Sequence, residues 1–261
     1  MMKNKYAYLV VFALVSLSLM AQDAEKKKVL GRLSKLESTY SQIANKIWGF
    51  AEVGYKEKQS SQLLQETLKQ AGFSIESGVA GIPTSFVATY GQGKPVIGIM
   101  AEYDALPGMS QDSIPTKRSI GATAGHACGH HLFGTASVAS AIAIRDWMKE
   151  TGQKGTIKLF GCPAEEGGSG KVYMVRDGVF AGADVMLHWH PNDVNSVSNT
   201  SSLANKTGKF RFYGLSSHAA ASPDRGRSAL DGVEAMDHMV NMLREHVPQT
   251  TRIHYVITNG G

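Results

Sequence analysis

The segment His126–His131 has the residue types and spacing of a metal-binding motif. Its sequence is His-Ala-Cys-Gly-His-His, so that one glycine separates Cys128 from His130. A thiolate and an imidazole nitrogen both bind zinc-like ions. Because Gly129 has no Cβ, the backbone can turn there and direct both groups to one point. A buried thiol beside unrelated histidines is the alternative interpretation.

Further acids and histidines extend this motif to a possible ligand set. Glu165–Glu166 supply two carboxylates, and His188–His190 supply two imidazoles. Five of the nine histidines of the chain fall in the two short segments His126–His131 and His188–His190, which favours a site over dispersed core histidines. A mixed set of nitrogen, sulfur and oxygen ligands suits zinc, or manganese where oxygen dominates.

The paired acids Glu165–Glu166 suit metal-assisted hydrolysis. One carboxylate can hold the ion while the other takes a proton from the attacking water. Two adjacent acids on a solvated surface are the alternative, but the run Gly167–Gly170 that follows favours a tight loop at a site. A phosphate-binding loop is excluded, because Val172 stands after Lys171 where a serine or threonine is needed and two carboxylates repel phosphate.

The elements that must position these groups alternate along the chain. Apolar residues at helical spacing predict helices, and short β-branched runs predict strands. The predicted helices are 32–50, 56–71 and 132–151, and the predicted strands are 84–90, 95–101, 156–162 and 183–190. This order predicts an α/β fold with a mostly parallel sheet flanked by helices.

The candidate residues follow the predicted strands. Asp104 comes after one strand, Glu165–Glu166 after the next and His188–His190 at the end of another. Because ligands of open α/β sheets gather at the carboxyl ends of the strands, we expect these groups to meet the Cys128 loop there.

Composition limits the classes of function. A chain of 261 residues with 43% hydrophobic side chains can bury a sizeable core. The formal net charge is +5, and without Lys3 and Lys5 the chain has 25 basic against 22 acidic residues, or +3. Such a small excess argues against a nucleic-acid partner.

Residues 1–21 have the layout of a secretory signal peptide, with two early lysines, an apolar run and a terminal alanine. The run is about 15 residues, shorter than the roughly 20 that span a membrane, so we expect cleavage and no stable membrane insertion. The protein is then exported, periplasmic or secreted. Cys128 and Cys162 could form a disulfide in that compartment, although each lies in a segment that favours chemistry.

The remaining chain divides into two predicted domains. Residues 22–204 form the metal-binding domain, and residues 205–261 begin a smaller α+β module with strands over 209–213 and 251–258 and a helix over 228–246. The sheet of this module has too few strands, which indicates a fragment.

His218, in the segment Ser216-Ser-His218, is a candidate to polarise a carbonyl or hold a carboxylate. A serine nucleophile is the alternative, but Ser216 lacks the Gly-x-Ser-x-Gly pattern.

Five ordered motifs from about Ile43 onward resemble one family. The set resembles the metal-dependent aminoacylase and carboxypeptidase amidohydrolases of the M20 peptidase type, and within them the aminobenzoyl-glutamate hydrolase branch. The motifs are Ala-Glu-Tyr-Asp104-Ala-Leu-Pro, His126-Ala-Cys-Gly-His130, Pro-Ala-Glu165-Glu166-Gly-Gly, Trp-His190-Pro and Ser-Ser-His218-Ala-Ala.

The resemblance implies a role for each motif. Asp104 orients the metal ligands, Glu165 is the general base, and His218 reaches the site of a partner subunit and stabilises the oxyanion. The implied metal ligands are Cys128, His130, Glu166 and His190, with His188 as the alternative to the last.

The resemblance also implies the reaction. Two divalent ions, zinc or manganese, assist cleavage of the amide of an N-acyl amino acid such as aminobenzoyl-glutamate. A dipeptidase and a catalytically inert binding fragment are the alternatives. Relatives form homodimers through the lid, here 205–261, and supply a last histidine ligand beyond this stretch. We therefore expect the 261 residues alone to be inactive.

Overall fold

The computed structural model describes residues 23–261, so the predicted signal peptide lies outside the described residues. The chain divides into two compact units, of which the first ends at Val194 and the second spans Asn195–Gly261. The predicted domain boundary at 204/205 falls in an exposed stretch without regular structure, and the interpretation of the second unit as a lid stays a prediction.

Two amphipathic helices precede the sheet, as predicted. Residues 23–35 are helical, a turn follows, and helix α1 spans Glu37–Phe50. Helix α2 spans Lys58–Gln70 and buries Leu64 and Leu68. Gly72 ends it with φ +88°, a conformation that glycine adopts at little cost.

The first unit contains a five-stranded sheet and a small two-stranded one. Strands β1, β2, β6, β3 and β7 lie side by side in that order, and β4 pairs with β5. The seven strands are β1 Ser74–Ser77, β2 Phe86–Gln92, β3 Val96–Ala101, β4 Leu106–Pro107, β5 Ala124–Gly125, β6 Gly155–Gly161 and β7 Val185–Leu187. The predicted α/β fold class is confirmed.

Strand direction brings three carboxyl ends to one edge. Strand β3 is parallel to both β6 and β7, whereas β1 and β2 are antiparallel additions on the other side of β6. The loops that follow β3, β6 and β7 therefore leave the sheet at the same edge. The β4–β5 pair joins the loop after β3 to the loop that contains Cys128.

Helices cover both faces of this sheet, because alternate residues of its strands point to opposite sides. Helix α3, His130–Thr151, packs with α1 and α2 on the face that includes Ala88 and Leu159. The short helix α4, Gly170–Arg176, packs on the opposite face beside Val87 and Phe160.

The second unit contains helix α5, Ala229–Leu243, close to the predicted helix over 228–246. Ser228 caps this helix by accepting a hydrogen bond from the Asp231 amide at 3.1 Å. The predicted strands over 209–213 and 251–258 are wrong, since neither range pairs with a neighbour within the described residues. An alternating pattern forms a strand only where a second chain segment completes its backbone hydrogen bonds. No helix in residues 23–261 is both long and apolar enough to cross a membrane.

Candidate metal centre and catalytic loop

A buried aspartate and histidine lie at the base of the site. Asp104 follows β3, and His130 begins α3 after the turn at Gly129, whose φ is +81°. The Asp104 Oδ1 lies 2.8 Å from the His130 Nδ1, and both side chains are inaccessible to solvent. Asp104 therefore fixes the orientation of the His130 ring and leaves Nε2 to face the site.

The second oxygen of Asp104 holds the loop after β6. Oδ2 accepts a hydrogen bond of 2.8 Å from the amide of Glu166. One carboxylate thus positions both a candidate ligand on α3 and the loop that contains the two candidate acids. The orienting role of Asp104 stays a prediction, and these two hydrogen bonds support it.

The free nitrogen of His130 faces two carboxylates. Its Nε2 lies 2.9 Å from the Glu102 Oε2 and 4.0 Å from the Glu165 Oε2. Burial acts to lower the pKa of His130, but the contacts with Asp104 and Glu102 outweigh burial and raise that pKa to about 10.

Cys128 lies beside His190. The Cys128 Sγ is 3.3 Å from the His190 Nε2, and the donor atoms of Cys128, His130 and His190 all lie within 4.8 Å of one another. The His188 Nε2 lies 3.7 Å from the Glu102 Oε1 and does not belong to the donor group of Cys128. The structure thus brings His190, and not His188, to the thiol.

The four carboxylates of the site differ in exposure. The Glu165 side chain is 47% exposed, whereas Glu102 and Asp104 are buried. Burial, followed by the charges of Glu102 and Glu166, raises the pKa of Glu165. A carboxylate that is half exposed and has a raised pKa can accept a proton and release it again.

Glu102 is the site residue that the sequence reasoning missed, together with its partner Lys171. Glu102 is 2% exposed and pairs with the Lys171 ammonium group. The sequence did contain evidence for Glu102 as a site residue, because it directly follows β3 and lies two residues before Asp104. Its donor atom also forms a triple with those of His130 and Glu165 within 4.8 Å.

Unpartnered polar atoms test whether a metal fits this site. Among the described residues, the buried His130 Nε2 and Glu166 Oε1 have no aligned hydrogen-bond partner. Burial, then Glu166 and the other acids nearby, raise the pKa of the Cys128 thiol to about 12. A bound cation would give the His130 Nε2 and the Glu166 Oε1 a partner and would favour the thiolate form of Cys128. Its binding would therefore release protons. The donor set therefore fits a divalent metal.

His126 and His131 pack against each other, away from the ligand group. Their ring centroids are 5.0 Å apart, and the His126 Nε2 lies 3.1 Å from the Ile47 carbonyl oxygen. Burial lowers the pKa of each ring to about 4, so both are neutral. These two histidines shape the loop around Cys128.

His218 lies in the second unit, outside the residue group that the first unit brings together. Its exposed ring accepts hydrogen bonds from the Ala220 and Ala221 amides through Nδ1, at 3.2 and 3.0 Å. The predicted contact of His218 with an oxyanion in a partner subunit stays a prediction. Cys128 and Cys162 are both free thiols.

Known proteins match both the sequence and the fold. The pattern of Peptidase family M20/M25/M40 matches residues 98–249. The chain is 48% identical over 225 residues to a p-aminobenzoyl-glutamate hydrolase subunit of Escherichia coli (strain K12), covering 85% of this chain and 47% of that protein. It is 28% identical over 249 residues to the Xaa-Arg dipeptidase of Mus musculus, covering 90% and 54% of the two chains.

A solved structure shows the same fold. It is a Bacillus subtilis dinuclear metal-binding peptidase from the M20 family, with a TM-score of 0.54 and 22% identity over 61% of this chain and 44% of that chain. The chain spans about half the length of the curated relatives it matches.

Proposed function

Because this chain belongs to Peptidase family M20/M25/M40, we propose that the whole protein is a metal-dependent hydrolase of N-acyl amino acids such as aminobenzoyl-glutamate. The family resemblance predicted from the five motifs is confirmed. The observation that carries the proposal is the convergence of the Cys128, His130 and His190 donor atoms within 4.8 Å of one another, with Glu165 at 4.0 Å from the His130 Nε2.

Two divalent ions, zinc or manganese, are the proposed cofactors. Cys128, His130, Glu166 and His190 would hold metal, and a bound ion would polarise the substrate carbonyl and lower the pKa of water. Two buried atoms support this assignment: the Glu166 Oε1 has no hydrogen-bond partner, and the His130 Nε2 lies 2.9 Å from Glu102 without an aligned hydrogen bond.

Glu165 is the proposed base. It takes a proton from the attacking water and then delivers that proton to the leaving amine, while Asp104 keeps the His130 ring in place. The partial exposure of Glu165 and its raised pKa support this role.

Replacing Glu165 with glutamine tests the proposed base. The amide cannot accept the proton, so we expect kcat on aminobenzoyl-glutamate to fall by about two orders of magnitude or more. Elemental analysis should show an unchanged metal content. Glu76→Gln, at an exposed site in β1, is the matched control and should retain full activity. Full activity of Glu165→Gln would contradict the assignment.

A dipeptidase is the second candidate, favoured by the similarity to the Xaa-Arg dipeptidase over 90% of this chain. Cleavage of a dipeptide also needs a metal site and a base, so the geometry of Glu165 and Cys128 serves both reactions. Assays of the same preparation on aminobenzoyl-glutamate and on dipeptides ending in arginine compare kcat/KM for the two classes.

Export, dimer formation and the role of His218 complete the proposal. The composition of residues 1–21 supports export, and the motif around His218 supports a lid through which two subunits pair and complete each other's site.

A further inference from the structure

The connector between α1 and α2, residues 51–57, contacts both loops that hold the proposed site. Backbone groups of the connector pair with the Asp104 loop, where the Ala105 amide donates to the Glu52 carbonyl at 2.8 Å and Val53 forms a bridge with Ala105. Its side chains contact the loop 164–169, which contains Glu165. The connector thus joins two segments that are distant in sequence.

Three contacts hold the loop 164–169. The Glu57 Oε1 accepts a hydrogen bond from the Ala164 amide at 2.8 Å, and the Tyr55 hydroxyl donates to the Gly168 carbonyl at 2.6 Å. At Gly54 the backbone approaches so closely that an added Cβ would lie 3.1 Å from Ala164.

Glu57 is a buried carboxylate with both oxygens engaged. It is fully inaccessible, and its Oε2 accepts a hydrogen bond of 2.9 Å from the Thr84 hydroxyl. A charged-group hydrogen bond is stronger than a neutral one and fixes its partner more firmly. Together with Asp104, which binds the Glu166 amide, Glu57 holds the backbone on both sides of Glu165.

Backbone strain is concentrated in the same two segments. Five non-glycine residues in the described part of the chain have positive φ, and four of them lie in the connector or the loop it holds: Ala51, Tyr55, Ala164 and Ser169. Such conformations cost of order 1 kcal/mol each and persist only where the surroundings impose them. Two of these residues, Tyr55 and Ala164, themselves take part in the contacts between the connector and the loop.

We propose that Glu57, supported by Tyr55, is a positioning residue that holds Glu165 in its working geometry. Glu57 belongs to neither group of candidate metal donors, and its two oxygens bind the Ala164 amide and the Thr84 hydroxyl, so it acts through the backbone of Ala164. The inference rests on the proposed role of Glu165 as the base. A displacement of about 1 Å in a reacting group can lower a rate a hundredfold.

Glu57→Ala removes the acceptor, whereas Glu57→Gln keeps an oxygen for the Ala164 amide and an amino group for the Thr84 hydroxyl. In the whole enzyme acting on aminobenzoyl-glutamate, Glu57→Ala should lower kcat by about tenfold to a hundredfold with little change in KM or metal content. Glu57→Gln should recover most of kcat. Because Tyr55 is partly exposed, Tyr55→Phe should fold and should lower kcat by about twofold to tenfold.

Glu52 offers the matched control. Its carboxylate lies in the same connector but accepts from the start of α2, at the Gln59 and Ser60 amides, and does not contact the loop 164–169. Glu52→Ala should lower thermal stability while kcat stays within about twofold of the wild type. If Glu52→Ala and Glu57→Ala have equal thermal stability and an equally low kcat, the effect of Glu57 is only structural. That result would overturn the proposal.

Hydrogen exchange separates this inference from the proposed function. In Glu57→Ala the amides of residues 164–168 should exchange faster, whereas those of α3 should not, and this readout needs no substrate. Unchanged exchange at these amides would overturn the positioning role even if the enzyme is active. If these amides exchange faster in Glu57→Ala but the wild type hydrolyses no acyl amino acid, the result supports the role of Glu57 in holding the loop. The same result rejects the proposed reaction.

Discussion

At the scale of single residues, the site depends on a buried carboxylate that neighbouring positive groups stabilise. Glu102 is 2% exposed, close to the carboxylate of Glu165, and Lys171 supplies the opposite charge. Burial acts to raise the pKa of Glu102, but the neighbouring His130 and His188 and the ammonium group of Lys171 outweigh it and hold that pKa well below its usual range. Lys171 therefore contributes to the stability of the folded site as well as neutralising the charge of Glu102.

Lys171→Met should lower the free energy of unfolding by about 2 kcal/mol at neutral pH, because it removes one of the positive groups that stabilise the buried Glu102 carboxylate. Since the folded pKa of Glu102 lies below its unfolded value, this stabilisation is present above the ordinary carboxyl pKa and is lost as the pH falls through the folded one. Denaturant unfolding of metal-depleted protein at several pH values should show the loss at neutral pH shrinking in acid.

The matched control for Lys171→Met is Lys94→Met, which removes the partner of Asp184 at the surface. The Lys94 side chain is 80% exposed, so this variant should unfold close to the wild type. Equal losses for the two variants would contradict the buried pair.

At the scale of elements, glycine conformation sets the entry to α3. Gly129 has φ +81°, and a Cβ at this position would lie 3.0 Å from the Pro191 ring. The turn therefore has two requirements, a left-handed backbone and space for the segment that contains His190. Both requirements place Cys128 and His130 on the same side of the loop.

Gly129→Ala should reduce stability and separate Cys128 from His190. Gly152→Ala is its matched control, because Gly152 also has positive φ, +69°, but no atom lies within 4 Å of an added Cβ. The left-handed backbone conformation alone should cost an alanine about 1 kcal/mol in stability at either position. Gly129→Ala should lose more than this in thermal unfolding and should also lose metal, measured by elemental analysis. Equal effects of the two variants would show that contact with Pro191 is unimportant.

At the scale of the whole molecule, the chain consists of two units, and an exposed stretch spans the boundary between Val194 and Asn195. Residues 192–214 contain no helix or strand, and every residue from Asn192 to Gly214 is exposed. Each unit has its own elements, and the sheet belongs to the first. The stretch includes Lys206 and Lys209, which trypsin recognises.

Brief digestion with trypsin should cut at Lys206 or Lys209 before it cuts within the sheet of the first unit, because a protease needs an exposed backbone without regular structure. Mass spectrometry of the first products should give a fragment that ends there. Lys158, within β6, is the internal comparison and should be cut later. Early cleavage at Lys158 would contradict the described fold of the first unit.

The sequence predicted what depends on residue type and local periodicity. The helix predicted over 132–151 and the four strands predicted for the first unit lie within a few residues of the observed bounds, because their apolar spacing matches one regular period. The strands predicted over 209–213 and 251–258 are wrong, since a strand exists only with a partner. The grouping of Cys128, His130 and Glu165 followed from motif chemistry and strand ends.

Only the tertiary structure decided which atoms meet. It placed His190, which the resemblance already favoured over His188, at 3.3 Å from the Cys128 thiol, and it paired the buried Glu102 with Lys171, 69 residues apart. It also joined Glu57 to the amide of Ala164 across 107 residues. Such contacts have no signal in local spacing, because burial and hydrogen bonding between distant segments are set by how the strands and helices pack. Residue chemistry thus determined the kind of site, and packing determined its geometry.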